Sequence, residues 1–415
     1  MTPLITNDAI VLGILMAILG LVFITANSEA RPWKKFYTYV PPLLLCYFVP
    51  SIFSSAGVYS GDVSKLYTVA SQYLLPTSLV LLTISIDLKA IARLGPKAVI
   101  MFLGGTVGIV IGGPLAILIV SFIDPALVGG QGPEAVWRGF ATIAGSWIGG
   151  SANQTAMKEV YEVRDRLFSV MIAVDVIVAN VWMACLLFAA GRAKQIDARV
   201  GSDTSAIDEV KTRVEEFRAR IAKIPALKDI LGVLAVGFGV TAISHFGADL
   251  IAPRIERSAP GLAQFSLTSK FLWIVVLATT GGLLLSLSSR VRALEGVGAS
   301  TLGSVLLYVL IATIGMKMNV LAVFDQPALF VVGAIWMSFH AVTMLLLAWL
   351  IKAPLFFLAV GSQANVGGAA SAPVVASAFH PALAPVGVLL AVLGYALGTY
   401  GAWLSGQLMR VVAPE

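Results

Sequence analysis

Long apolar stretches alternate with short polar ones, and the apolar stretches have the length that crosses a bilayer. They fall at 8–25, 37–55, 66–86, 98–123 and 167–190, then again at 229–252, 270–288, 297–323, 328–351 and 382–408. Between the fourth and fifth of each set lies one segment, 136–161 and 354–378, whose apolar pattern is interrupted by glycines and amides. The interruptions read Gly149-Gly150-Ser151-Ala152-Asn153 and Gly361-Ser362-Gln363-Ala364-Asn365, and share Gly-x-x-Ala-Asn 212 residues apart. Glycine releases the backbone from a helix, and amides offer donors and acceptors. In hydrocarbon such an interruption is tolerated only inside protein or along a cavity. A matched pair of them points to a transporter's substrate site.

This pattern predicts an all-α, multi-pass membrane protein of two repeats, each with about five crossings and one interrupted Gly-rich helix. The repeats are 1–190 and 229–415, joined by a linker at 191–228. The linker is rich in charge, and Ile207, Val210, Val214, Phe217 and Ile221 recur at helical spacing, so an amphipathic surface helix is expected there. Ile84-Ser85-Ile86-Asp87 lies opposite Ile314-Gly315-Met316-Lys317 at an offset of 230. One loop insertion at 124–137 reconciles that offset with 212, as an internal duplication would require.

Composition agrees. The chain of 415 residues is 58% hydrophobic and 12% charged, about half the charge of a soluble domain. The net charge of +6 resides in connecting segments and is not a nucleic-acid signal. Cys46 and Cys185 lie in apolar runs and read as buried thiols. Basic residues also orient the repeats. If each interrupted segment leaves on the side it entered, one side collects Arg31, Lys34, Lys35, Lys89, Arg93, Lys97, nine linker cations, Arg290, Arg292 and Lys352. That is 18 of the 28 Lys and Arg; full crossings would split them 15 to 13. The positive-inside rule selects the first arrangement. The second repeat is then inverted, the linker is cytoplasmic and both termini lie outside.

Several residues could carry chemistry. Asp175 lies deep in an apolar segment, where a carboxylate must be protonated, paired or bound to a cation, and it is the prime candidate for Na⁺ or H⁺ coupling. Asn180, five residues on, is about 140° round the helix and off that face. His340 is either a proton relay or a core histidine. Lys317 is an anion contact or the partner of an acid such as Asp175 if it is embedded, and a snorkelling residue if it ends its segment. The polar inventory of the site is Ser151, Asn153, Gln154, Thr155, Ser362, Gln363, Asn365 and Ser371, with Gly367 and Gly368 allowing close approach. Asn153 is assigned to the coupling ion as well. Helix N-termini after the breaks suit an anionic group, and freed carbonyls suit Na⁺. Gly104, Gly108, Gly112, Gly394 and Gly398 recur at spacing four and read as packing positions. No nucleotide loop, hydrolase motif or metal-ligand spacing is visible, so no enzyme, metal or organic cofactor is expected.

The stretches 145–153 and 361–368, with the overall length, resemble the bacterial YjcL-like membrane proteins, a family of unknown function. The two-half plan is more distantly similar to the sodium-coupled glutamate and citrate carriers and to the bile-acid and sodium/proton antiporter group. That resemblance implies an elevator mechanism, with a core sliding against a scaffold that often dimerises. The expectation is a secondary transporter of the bacterial inner membrane. It would move a small polar or anionic solute with Na⁺ or H⁺, as a homodimer in the lipid bilayer. The alternative is a cation/proton antiporter without organic substrate. Ion coupling is expected to rest on the first interruption, which Asp175 follows.

Overall fold

A computed structural model describes residues 3–40, 42–87, 91–92, 94–202, 226–265, 267–317, 326–380 and 383–414. Helices account for nearly all of it, and no strand occurs among the described residues. In chain order the main helices are α1 (Asp8–Ala26), α2 (Arg31–Tyr39), α3 (Pro42–Ser55), α4 (Leu66–Ile84) and α5 (Pro96–Ile123). Then come α6 (Val136–Val160), α7 (Asp165–Ala190), α8 (Ala193–Val200), α9 (Leu227–Ser258), α10 (Lys270–Ser286) and α11 (Ala299–Gly315). The last four are α12 (Leu329–Leu350), α13 (Leu355–Val366), α14 (Gly368–Phe379) and α15 (Ala384–Val412). All ten expected crossings and both interrupted segments have their helices. Seven are long and apolar enough to span a membrane by themselves, and two bent pairs raise that to nine. α11 is a shorter apolar helix. The amphipathic helix expected around Ile207–Ile221 lies outside the described residues.

Local chemistry sets the helix ends. Asn7 caps α1, its side-chain oxygen accepting from the Ala9 amide at 2.9 Å. Gly95, at φ 91°, turns the chain into Pro96, which opens α5. α4 contains a π turn at Ala70–Leu74 just before Pro76. Pro76 has no N–H to give the Gln72 carbonyl. His245 of α9 takes that carbonyl instead, at 2.8 Å.

The helices form two bodies. α1, α3, α4, α9, α10 and α11 make a framework; α5, α6, α7, α12, α13, α14 and α15 make the second body. Each half contributes its first three crossings to the framework and the rest to the second body, in the same order. The packing also interchanges. α1 lies on α3 and α11, as α9 lies on α10 and α4; α3 lies on α11, as α10 lies on α4. α4 packs on α11, and α5 on α12. Exchanging the halves leaves these contacts unchanged.

Glycines let the second body close. A Cβ on Gly108 would sit 3.1 Å from Thr343, and one on Gly112 would sit 2.9 Å from Trp336. A Cβ on Gly394 would sit 2.4 Å from the Ile148 carbonyl. The glycines at spacing four are therefore packing positions.

Candidate functional site

Both interrupted segments are hairpins. In α6 the break is Gly150, at φ 73° and ψ −175°. The arms 136–149 and 151–160 fold back on each other: a Cβ on Gly145 would lie 2.6 Å from the Asn153 carbonyl oxygen. At the open end, Arg138 Nη1 donates to the Tyr161 carbonyl at 2.6 Å, and the Trp137 and Tyr161 rings meet edge to face. In the second segment α13 and α14 are the arms and the break is Gly367-Gly368, with Gly368 at φ 59°. Phe356 and Phe379 close that hairpin's open end, with ring centroids 5.4 Å apart. A left-handed residue at each tip is where glycine is required. The tips face each other: a Cβ on Gly368 would sit 3.9 Å from the Gly150 Cα.

The two breaks do not fall at matching places in Gly-x-x-Ala-Asn. The first precedes its asparagine and the second follows it. What recurs at the tips is a Gly-Gly pair, 149–150 and 367–368, at an offset of 218 rather than 212. The shared motif has another use. Asn153 Nδ2 donates to the carbonyls of Gly149 and Tyr395 at 3.1 and 3.0 Å, and its oxygen accepts from Thr399 at 2.7 Å. Asn365 Nδ2 donates to the carbonyls of Gly361 and Phe102 at 3.0 and 2.8 Å, and its oxygen accepts from Thr106 at 2.8 Å. Each asparagine thus grips its own i−4 carbonyl and an i, i+4 carbonyl–threonine pair on a neighbouring helix. The glycine four residues earlier lets that neighbour approach. A Cβ on Gly149 would meet the Gly394 carbonyl at 2.6 Å, and one on Gly361 would meet the Phe102 amide nitrogen at 3.1 Å. Gly-x-x-Ala-Asn is a helix-docking device used twice.

Asp175 of α7 is buried against the first hairpin and ties its arms together. Ser146 Oγ and Trp147 Nε1 of the first arm donate to its two oxygens, both at 2.7 Å, and Gln154 Nε2 of the second arm donates at 3.0 Å. These are neutral donors, so among the described residues the carboxylate has hydrogen bonds but no counter-cation in contact. The second hairpin is tied by Gln363 Nε2, which donates to Ser371 Oγ at 2.8 Å. Gln154 and Gln363 share one further property: the amide oxygen of each is buried and has no partner among the described residues. A buried acceptor left unpaired costs about 1–3 kcal/mol. Two such oxygens, one in each of two hairpins with touching tips, are the strongest ligand signal in the site.

The other expected residues fall around this centre. Ser151, Gly367 and Ser371 are partly exposed beside the tips. Thr155 Oγ1 bonds the Ser151 carbonyl at 2.9 Å. Ser362 belongs to a chain with His340: Trp182 Nε1 donates to Ser362 Oγ at 2.8 Å, His340 Nε2 lies 2.8 Å from the same oxygen, and Nδ1 lies 3.2 Å from the Gly105 carbonyl. Donation from Nδ1 to Gly105 assigns Nε2 as the acceptor of the Ser362 hydroxyl proton. His340 is thereby a neutral, fully bonded residue behind the second hairpin. Asn180 bonds its own helix, at the Val176 carbonyl, and is not part of the centre. Lys317 does not reach Asp175; its ammonium lies 3.3 Å from Asp165.

That contact belongs to a cluster that sequence reasoning missed. Lys158, at the end of the first hairpin, lies 2.9 Å from Asp165 and 3.5 Å from Glu159, and donates to Tyr67 OH at 2.8 Å. Tyr67 OH in turn donates to Glu159. The Lys158 and Lys317 ammoniums stand 4.7 and 4.6 Å from the Tyr67 ring centroid. Tyr67 and Lys317 belong to the framework; Lys158, Glu159 and Asp165 belong to the other body. The cluster therefore bridges the two. In the sequence these charges sit at segment ends, where interfacial residues are ordinary. Tyr67 too sits at a segment end, as the second residue of the stretch 66–86, where an aromatic is ordinary.

Comparison with known proteins places the chain. The family described as "Protein of unknown function (DUF819)" matches residues 13–412. The chain belongs to this family. It is 25% identical, over 384 residues, to "Uncharacterized membrane protein YjcL" of Bacillus subtilis (strain 168), covering 86% of this chain and 88% of that protein. This member of the family is a multi-pass, all-helical membrane protein.

Proposed function

We propose that the protein is a secondary active transporter of the bacterial inner membrane. It would move a small polar or anionic organic solute coupled to Na⁺ or H⁺. The observation that carries this reading is the meeting of two hairpin tips, each with an orphaned buried amide oxygen, Gln154 and Gln363. The second arms begin at the tips, so two helix N-termini present free N–H groups and positive dipole ends toward one place. A carboxylate or similar group suits those ends. The orphaned oxygens of Gln154 and Gln363 suit a polar N–H or O–H donor or a cation. Asp175, hydrogen-bonded to Gln154, supplies the negative charge for coupling.

A hairpin leaves on the side it enters, so each half makes five crossings. An odd number reverses the second half, and the two hairpins then reach the centre from opposite faces. The two-body architecture suits an elevator in which the hairpin body moves against the framework, with the Tyr67–Lys158–Asp165–Lys317 cluster holding one position. The alternative, a cation/proton antiporter, is favoured by Asp175 alone and gives the buried amide oxygen of Gln363 no partner.

Thermal unfolding of the purified protein against carboxylates, amino acids and short peptides, with and without Na⁺, tests the proposal. A solute that stabilises the wild type in an ion-dependent way, and not Gln154→Ala with Gln363→Ala, is the expected result. Stabilisation by cations alone selects the antiporter.

A further inference from the structure

The open end of the first hairpin carries a second polar cluster, remote from Asp175. Arg138, on the first arm, and Arg410, near the end of α15, flank Tyr161: Arg138 donates to its carbonyl, and its hydroxyl accepts from Gln407, one turn before Arg410. Each guanidinium stands over an aromatic face, 5.2 Å from the Trp137 ring centroid for Arg138 and 5.2 Å from that of Phe265 for Arg410. Tyr161 stands beside Arg138: its hydroxyl donates to the Trp403 carbonyl at 2.6 Å and accepts from Gln407 Nε2 at 3.2 Å.

The donors do not balance. Two guanidiniums carry about ten N–H groups, yet the described residues accept one bond, from Arg138 Nη1 to the Tyr161 carbonyl. Nε of both arginines is buried without a partner. Neither arginine forms an ion pair among the described residues. Glu162 is the acid whose charge reaches Arg138, and it is exposed. Arg164 is already paired with Glu134 at 3.0 Å. Two adjacent cations with idle planar donors lack an anion with several oxygens.

Both side chains keep part of their surface open. Around them Trp403 donates to the Phe265 carbonyl at 3.0 Å, and Trp273 donates to the Leu267 carbonyl at 2.8 Å. Tryptophans gathered at one end of a helix bundle mark the headgroup level of a bilayer. Arginine pairs recognise phosphate by forked, charge-assisted bonds.

We propose that Arg138 and Arg410 form a binding site for a phosphate group at the open end of the first hairpin. The occupant clamps the first arm to α15, and so ties the hairpin's base to the helix that its Asn153 already grips. The site does not depend on the transport reading.

The test uses the delipidated full-length protein in detergent. Thermal unfolding is followed against phosphatidylglycerol, with a glucosyl diacylglycerol of the same chains, which lacks phosphate, as control. A second arm compares inorganic phosphate with chloride at matched ionic strength. We expect Tm to rise by about 2 °C or more, with an apparent affinity at least about tenfold lower in Arg138→Gln and Arg410→Gln. Stabilisation by the phospholipid alone identifies a lipid headgroup; stabilisation by inorganic phosphate as well identifies a free anion. Arg410→Lys keeps the charge but not the fork, so it carries the test if the glutamine variants fold poorly, and it is expected to bind more weakly than wild type. No stabilisation beyond the controls, or stabilisation unchanged in the variants, overturns the site.

Discussion

The two hairpins solve the same problem with different chemistry. Each is a pair of antiparallel half-helices joined at a left-handed glycine, and each is docked by one asparagine through the same three kinds of bond. Their interiors differ. The first is tied by a carboxylate, Asp175, that draws donors from both arms, and it is bridged to the framework by the Tyr67–Lys158–Asp165 cluster. The second is tied by a neutral Gln363–Ser371 bond, is backed by the neutral His340–Ser362 chain, and has its own apolar core. A charge held by neutral donors can accept a proton or cation without breaking a salt bridge. On the proposed transport reading, coupling rests on the first hairpin, and the second supplies shape and polarity.

The largest expected effect comes from removing the tie. Asp175→Ala leaves three donors unpaired, at about 1–3 kcal/mol for each buried group. We expect thermal unfolding to show a loss of several kcal/mol and vesicle uptake to vanish; His340→Ala should cost less on both counts. If the two variants behave alike, the charge does not distinguish the hairpins. Next comes Gly145→Ala, which sets a methyl 2.6 Å from a backbone oxygen across the first hairpin, where neither strand of chain can yield. It should cost about 3 kcal/mol. Gly361→Ala, with its nearest clash at 3.1 Å, should cost about 1 kcal/mol. Asn153→Ala and Asn365→Ala should be equal within error, at about 2 kcal/mol each, because their partners match bond for bond. Unequal losses would mean that one asparagine does more than dock. Smallest is Tyr67→Phe, which removes the hydroxyl between Lys158 and Glu159 at about 1 kcal/mol. Its stronger readout is cysteine accessibility between the two bodies, which should rise.

Much of this was legible in the chain. Apolar length located a helix for each of the ten expected crossings, and the basic residues favoured hairpins over full crossings. The position of the breaks was harder. Gly-x-x-Ala-Asn looked like the break because glycine and amide coincide there. Yet glycine serves close approach as well as positive φ, and only the backbone separates Gly149 and Gly361 from Gly150 and Gly368. Asp175 was conspicuous because an acid inside hydrocarbon is costly. Its partners were not, since Ser146 and Trp147 are ordinary in a helix. The Lys158 cluster was hidden because its members come from the ends of four different segments, where charged and aromatic residues are expected anyway. The placement of Lys317 followed from the same blindness: a lysine's reach does not say which acid it meets.

The arrangement rests on the hairpins entering from opposite faces to meet at Gly150 and Gly368. Two exposed positions report on their bases: Gln131, before the first hairpin, and Gln195 on α8, whose Asp197 accepts the Leu355 amide at the start of the second. Single cysteines at these positions, with Cys185 replaced by serine, can be labelled in intact cells by a thiol reagent that does not cross membranes. Gln131→Cys should react from outside, and Gln195→Cys only after the membrane is opened. Equal labelling of both from outside would place the two hairpin bases on one face and contradict the account.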